Sequence, residues 1–252
     1  MQQRLRRRWM RRRLTRLSPD APQAAMARRM QRLAIYDMDK TITRKPTWQP
    51  FLNHAVARSA PWRFLLYPLL LAPLAAYAAK RIDRGRLKEM SQRLLLGPHI
   101  SAARVAPLVE GFAQRTVAAN IHPGALAQIA ADRAGGRRLV LATASYRLYA
   151  EPIARELGFD DVIATGTLAG LDARVHARID GENCYGPAKL RMIEAWMEAE
   201  RIARTDCHVR FYSDHASDAP VLEWADEPFA VNAHARLRRL AKTRGWPVLA
   251  WG

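Results

Sequence analysis

Cysteine is nearly absent from this chain of 252 residues: Cys184 and Cys207 stand far apart in sequence and outside any CxxC pair. That excludes a multi-bridge disulfide framework and a cysteine-rich zinc site, and it fits a reducing compartment. The seven histidines do not restore a metal signature, because none falls in the i, i+4 or H-x-E spacing that zinc sites use. Acid is scarce as well, with 23 Asp and Glu against 41 Lys and Arg. No acid at all occurs between Asp39 and Asp83. No uncharged apolar run reaches the roughly 18 residues of a membrane-spanning helix. The charged N-terminus is not followed by the apolar core of a secretory signal. Neither an internal repeat nor a low-complexity tract is present, apart from one basic arm.

What the chain has is enough apolar material for a sizeable core: 49% of residues are hydrophobic and 25% charged. This suits one domain with a large insertion, or two modest domains. The net charge of +18 is concentrated at the start, where residues 1–32 hold 11 Arg and a single acid, Asp20. The arm, residues 1–30, reads as a solvated tail, as a segment drawn to an anionic membrane, or as a nucleic-acid contact, which is the least favoured of the three. Trp9 among the arginines leans toward an interface, since an indole sits well at headgroup depth.

Beyond the arm, hydrophobic periodicity alternates strand and helix. Leu33 to Tyr36 and "RRLVLATAS" (137–145) read as buried strands ending in polar residues. A helix over 146–159 closing at Gly158 follows, then a strand pair "VIATGTL" and "RVHARI" joined through Gly170 and Asp172. Pro187 opens a helix to about Arg204, "CHVRFYSD" (207–214) is a strand, and helix, strand and helix complete the chain. Such alternation predicts an α/β fold with a mostly parallel sheet covered on both faces. Residues 46–134 break the rhythm and read as helix after helix. An insertion leaving just after the first strand would lie over the carboxyl rim of the sheet, where ligands of open α/β folds bind.

The chemistry-bearing residues fall at element boundaries. "DMDKT" places Asp37 and Asp39 at the end of the first strand, with Thr41 two positions on. A carboxylate there can attack phosphorus without a base to activate it, a second can move protons, and a hard divalent cation such as Mg²⁺ would offset the repulsion by phosphate. A turn or helix cap is the plainer reading of Asp-x-Asp. An EF-hand loop is excluded, since its sixth and twelfth positions would be Ile42 and Trp48. Thr143 ends the second strand, Lys189 sits in the first turn of a helix where a cation is unfavourable without a local anion, and "SDHASD" supplies Asp214 and Asp218.

These four ordered stretches, "DMDKT", "VLATAS", "GPAK" and "SDHASD", resemble the motifs of the haloacid dehalogenase superfamily of hydrolases, and in particular its phosphoserine-phosphatase-like branch (subfamily IB). The resemblance spans residues 33 to about 232. It implies a Rossmann-like core from residues 31–45 and 135–252, and a helical cap of C1 type from residues 46–134. It further implies Asp37 as nucleophile, Asp39 as acid and base, and Thr41, Thr143 and Lys189 as phosphoryl ligands. Mg²⁺ would be held by Asp37, the Asp39 carbonyl and Asp214, with Asp218 supporting its shell.

Two departures bear on the substrate. The position nine past the nucleophile, where phosphoserine phosphatases carry a glutamate, is Pro46, which argues against free phosphoserine. Lys40 replaces a small residue and is either solvated or an extra phosphate contact. The apolar run 64–79 would form a helix only ~24 Å long. A single crossing there would also separate Asp37 from Thr143, so a buried kinked hairpin or an interfacial segment is expected instead. The interfacial reading makes the substrate a membrane-associated phospholipid phosphate such as phosphatidylglycerophosphate, and the protein cytoplasmic with peripheral contact at the inner membrane face through the arm and residues 64–79. The alternatives are a phosphatase of a small soluble metabolite and a catalytically idle module tethered to membrane or nucleic acid.

Overall fold

The computed structural model describes residues 30–169 and 174–252. The basic arm and the Gly170–Asp172 connection therefore lie outside the described residues. The chain from Gln31 to Gly252 forms one compact unit.

Strand β1 (Gln31–Tyr36) leads into a tight turn, Met38–Ile42. Helix α1 (Trp48–Ser59), a 3₁₀ segment (Pro61–Leu70), α2 (Leu71–Ala78) and α3 (Arg84–Leu95) follow. Then come β2 (His99–Ser101), α4 (Ala102–Ala119) and α5 (Pro123–Ala134). Next are β3 (Arg138–Tyr146), α6 (Arg147–Leu157), β4 (Asp161–Ala169) and β5 (Arg174–Asp180). The chain closes with α7 (Pro187–Ala199), β6 (Cys207–Ser213), α8 (Ala219–Trp224), β7 (Glu227–Val231), α9 (Ala235–Arg244) and β8 (Val248–Leu249).

The strands form one eight-stranded sheet in the order β2-β5-β4-β3-β1-β6-β7-β8. It is parallel from β4 to β8, and β5 and β2 add antiparallel partners at one edge. Alternation along β1 explains why the sheet is covered twice. Leu33 and Ile35 enter the core beneath α7, α8 and α9, while Ala34 and Tyr36 enter the core beneath α4, α5 and α6.

Three departures from the sequence reading have local causes. The stretch read as helix after helix contains β2, whose three residues are too short to show a period and are held by pairing with β5. Helix α7 ends at Ala199 rather than near Arg204, because Arg201 takes a left-handed conformation (φ 58°). The run 64–79 is not a buried hairpin: in its two short helices only Leu70 and Pro73 are buried, while Leu65 is 80% and Leu71 68% exposed. Among the described residues no helix is long and apolar enough to cross a membrane.

Two polar ties fix these layers. Asp132 of α5 is wholly buried, accepts hydrogen bonds from the Tyr36 and Tyr212 hydroxyls, and pairs with Arg210 at 2.7 Å. Lys88 of α3 crosses to the sheet, where its Nζ donates to the Ala144 carbonyl and, at 3.2 Å, to Asn183 Oδ1. Burial, with Arg84 nearby, lowers its pKa to about 7, although Asp39 and Cys184 act in the opposite direction.

Asp132→Ala is expected to lose about 3 kcal/mol or more in urea unfolding, because it leaves two buried phenols without their acceptor and removes a carboxylate from Arg210 and from the buried Arg137. For Lys88 the folded pKa lies below the unfolded one, so the unfolded state binds more protons between about pH 7 and pH 10.5 and the lysine's cost is relieved as pH rises. The stability of Lys88→Met relative to the parent should therefore be most favourable near pH 6.5. It should worsen toward pH 9.5 by up to about 1.4 kcal/mol per pH unit, read from paired denaturation curves.

Candidate active site

The tips of three adjacent strands, β3, β1 and β6, converge at the carboxyl rim, where the strand order reverses direction on either side of β1. Asp37 follows β1, and its amide extends the pairing by donating to the Tyr212 carbonyl at 2.9 Å. Lys40 then takes φ 63°, a left-handed conformation rare for a non-glycine residue, which turns the chain back sharply. Thr41 is thereby folded under Asp37, fully buried and off the pocket lining, so it is placed to orient Asp37 rather than to bind a phosphoryl oxygen as the resemblance implied. Its hydroxyl donates to Asp37 Oδ2 at 3.1 Å and accepts from the Asp214 amide at 3.0 Å.

At the tip of β3 the register with β4 slips between Thr143 and Tyr146. Bulges of this kind re-aim side chains beside functional sites. Here the Thr143 hydroxyl accepts from the Ser145 amide at 3.0 Å, and the Ser145 hydroxyl donates to Asp39 Oδ2 at 2.9 Å. Thr47, just before α1, donates to Asp39 Oδ1 through both its amide and its hydroxyl at 2.8 and 2.7 Å. The Asp39 carboxyl is thus clamped from both sides.

Lys189, in the first turn of α7 after Pro187, is 2% exposed and donates to Asp37 Oδ1 at 2.7 Å and Asp218 Oδ2 at 2.6 Å. Burial alone would discharge it. The two carboxylates outweigh burial and hold its pKa above the usual lysine value. Asp218 is also held by the Ser213 hydroxyl at 2.8 Å, and Asp214 by His234 Nε2 at 3.0 Å. His215 shapes the loop between them, accepting from the Ser217 amide at 3.1 Å.

All seven residues singled out in the sequence, Asp37, Asp39, Thr41, Thr143, Lys189, Asp214 and Asp218, thus meet at one rim. Thr47, Ser145, Ser213 and His234 also meet there, and the sequence reading missed them. Only Ser145 and Ser213 carried a local signal, each lying inside a quoted motif, "VLATAS" and "SDHASD".

The pocket holds an excess of buried negative charge. Burial, then the neighbouring Asp218, raises the pKa of Asp37 against the pull of Lys189. Burial, then Asp37 and Asp218, does the same to Asp214. In addition, Asp218 Oδ1 is buried without a hydrogen-bond partner. Among the described residues no three His, Cys, Asp or Glu side chains enclose a metal position. The carboxylates that line the pocket together, Asp37 and Asp214, are hard oxygen donors, which suit a largely hydrated hard cation rather than zinc.

Two chambers open from this rim. The polar one, about 380 Å³, is lined by Asp37, Thr143, Lys189, Asp214 and Lys40. The second, about 360 Å³, is walled by Trp48, Leu70, Leu74, Tyr77 and Leu87. Asp39, Ala144 and Arg84 border both.

Comparison with known proteins agrees with this geometry. The profile of haloacid dehalogenase-like hydrolases matches residues 34–223. A probable phosphatase of Mycobacterium tuberculosis is 27% identical over 240 residues, covering 94% of this chain and 81% of the relative. A Bordetella pertussis protein of unknown function has a solved structure with a TM-score of 0.79 and 26% identity, covering 87% of this chain and 98% of that one. A phosphoserine phosphatase captured as a phospho-aspartyl intermediate analogue superposes with a TM-score of 0.57 at 15% identity, over 88% and 94% of the two chains, and so shares the fold. The chain belongs to the haloacid dehalogenase-like hydrolases.

Proposed function

We infer that the chain is a Mg²⁺-dependent phosphomonoester hydrolase that works through an aspartyl phosphate on Asp37, with residues 46–134 as its cap. The observation that carries this is the meeting of Asp37, Asp39, Thr143, Lys189 and Asp214 at three adjoining strand tips. A phosphatase named among the relatives supports it.

Asp37 attacks phosphorus, the Asp37 oxygen–phosphorus bond forms, and the bond to the alcohol oxygen breaks. That oxygen leaves with a proton from Asp39, which Thr47 and Ser145 orient. Water then attacks phosphorus as Asp39 takes its proton, and inorganic phosphate departs with Asp37 restored. Lys189 and the Thr143 hydroxyl hold the phosphoryl oxygens, while Thr41 and Lys189 fix the nucleophile's orientation. Mg²⁺ would be held by the Asp37 and Asp214 carboxylates and the Asp39 carbonyl, where it supplies positive charge against the carboxylates and the substrate.

The substrate we favour is a membrane-associated phospholipid phosphate such as phosphatidylglycerophosphate. Trp62, Phe64, Leu65, Leu69 and Leu71 form an exposed apolar face, and Lys80 and Arg81 at its end are exposed cations suited to anionic headgroups. The same face supports peripheral attachment, which we place at the inner membrane face.

Asp37→Asn should lower p-nitrophenyl phosphate turnover at least ~10³-fold while leaving the circular dichroism spectrum intact. EDTA should abolish turnover and added Mg²⁺ restore it; activity that survives Asp37→Asn or the chelator contradicts the mechanism. A variant with Trp62, Leu65, Leu69 and Leu71 changed to Ser should pellet less than the parent with vesicles containing phosphatidylglycerol. Equal pelleting, or a preference for small soluble phosphoesters in a substrate screen, would favour the soluble-metabolite reading.

A further inference from the structure

The second chamber has a polarity of its own. Its wall is apolar, but one side, contributed by α3, carries two cations one helical turn apart, Arg84 and Lys88. Residues four apart lie on the same helix face, so both side chains serve one side of the chamber. Asp39 is the only acid among the lining residues, and its carboxyl oxygens are occupied by Thr47 and Ser145.

The two cations are differently placed. Lys88 is buried beside the rings of Tyr146 and Trp48, at 4.7 and 6.0 Å from their centroids, and among the described residues no carboxylate forms an ion pair with it. Its Nζ already donates to the Ala144 carbonyl and Asn183 Oδ1, so what it lacks is a counter-ion rather than a hydrogen-bond acceptor. Arg84 is exposed, stacks on the Tyr185 ring at 4.8 Å, and borders both chambers. The polar chamber already has Lys189 for the transferring phosphoryl group. A planar guanidinium at the junction therefore faces whatever joins that group to the apolar body behind it.

We propose that Arg84, backed by Lys88, forms a second anion subsite, which selects phosphomonoesters whose alcohol carries a further negative group, a phosphodiester or a carboxylate, between the scissile phosphate and an apolar body. The inference rests on the phosphatase reading above and deepens it. Arg84 is a specificity residue touching the substrate. Lys88 is a positioning residue that supplies charge from beneath.

The test compares two short-chain lipids with the same dihexanoylglycerol body. One carries a single phosphomonoester. The other carries a phosphodiester followed by a terminal phosphomonoester. The wild type should show a kcat/KM ratio favouring the second lipid by about tenfold or more, the worth of one charge-assisted pair. In Arg84→Gln the ratio should collapse toward one. A ratio unchanged in Arg84→Gln, whether both substrates fall together or neither does, overturns the proposal, because Arg84 would then serve the transferring phosphoryl group or none at all. Lys88→Gln should narrow the ratio in part, and Lys88→Arg should restore it. Wild-type turnover of p-nitrophenyl phosphate with Mg²⁺ is read in parallel. Its absence would sink the phosphatase reading alone, since calorimetric binding of the doubly anionic lipid to Asp37→Asn, with and without Arg84→Gln, still reports on the subsite. Equal affinity in those two backgrounds would overturn it.

Discussion

Three carboxylates are buried together, Asp37 and Asp214 at the tips of neighbouring strands and Asp218 in the 3₁₀ turn beyond β6, with one ammonium, Lys189, between two of them. Burying like charges this closely is among the costliest arrangements available to a protein, and one lysine cannot neutralise three acids. The remaining features of the rim are responses to that constraint. Hydroxyls from Thr41 and Ser213 and an imidazole from His234 are turned toward the carboxylates. Asp218 keeps an oxygen without any donor. A pocket so short of positive charge suits the hard cation that the proposed phosphoester hydrolysis would use.

The fold makes this concentration possible. Because β1 is central and alternates its side chains between two cores, its end is rigid, and the residue after it is presented rather than free to move. The neighbouring tips come from strands more than a hundred residues apart in sequence from β1, in parallel register, so Leu141 and Tyr212 both stand level with Tyr36. Three distant stretches of chain thereby deliver side chains to one plane. The left-handed turn at Lys40 and the slipped register after Thr143 are local distortions spent on aiming those side chains.

Much of this was legible before any coordinates, for a physical reason. Catalytic side chains sit where buried strands end, and such ends show in a sequence as polar residues abruptly closing an apolar run, as at Asp37, Thr143 and Asp214. Lys189 betrayed itself by standing at the wrong end of a helix dipole. The clamp on Asp39 was not legible, because Thr47 and Ser145 belong to different segments and a lone hydroxyl carries no pattern. His234 was hidden likewise, being joined to Asp214 only through space. Strands β2 and β8 have three and two residues, and only their partners make them strands. The run 64–79 was correctly read as too short to span a bilayer. Its outward-facing side chains depend on where α3 and α1 leave no room, which periodicity cannot report.

The link from Lys88 to Ala144 also constrains the ways a bulky molecule could reach Asp37. Lys88 is anchored to the same strand tip that carries Thr143 and Ser145, so swinging α3 outward as a rigid flap would tear a buried ammonium from both of its acceptors. Among the described residues the side of the second chamber bounded by Leu74 and Tyr77 has no such fastening, and both side chains already stand partly in the open. Traffic through that flank would slide sideways between greasy helices instead of dropping in from above, a doorway whose threshold is the exposed apolar face itself.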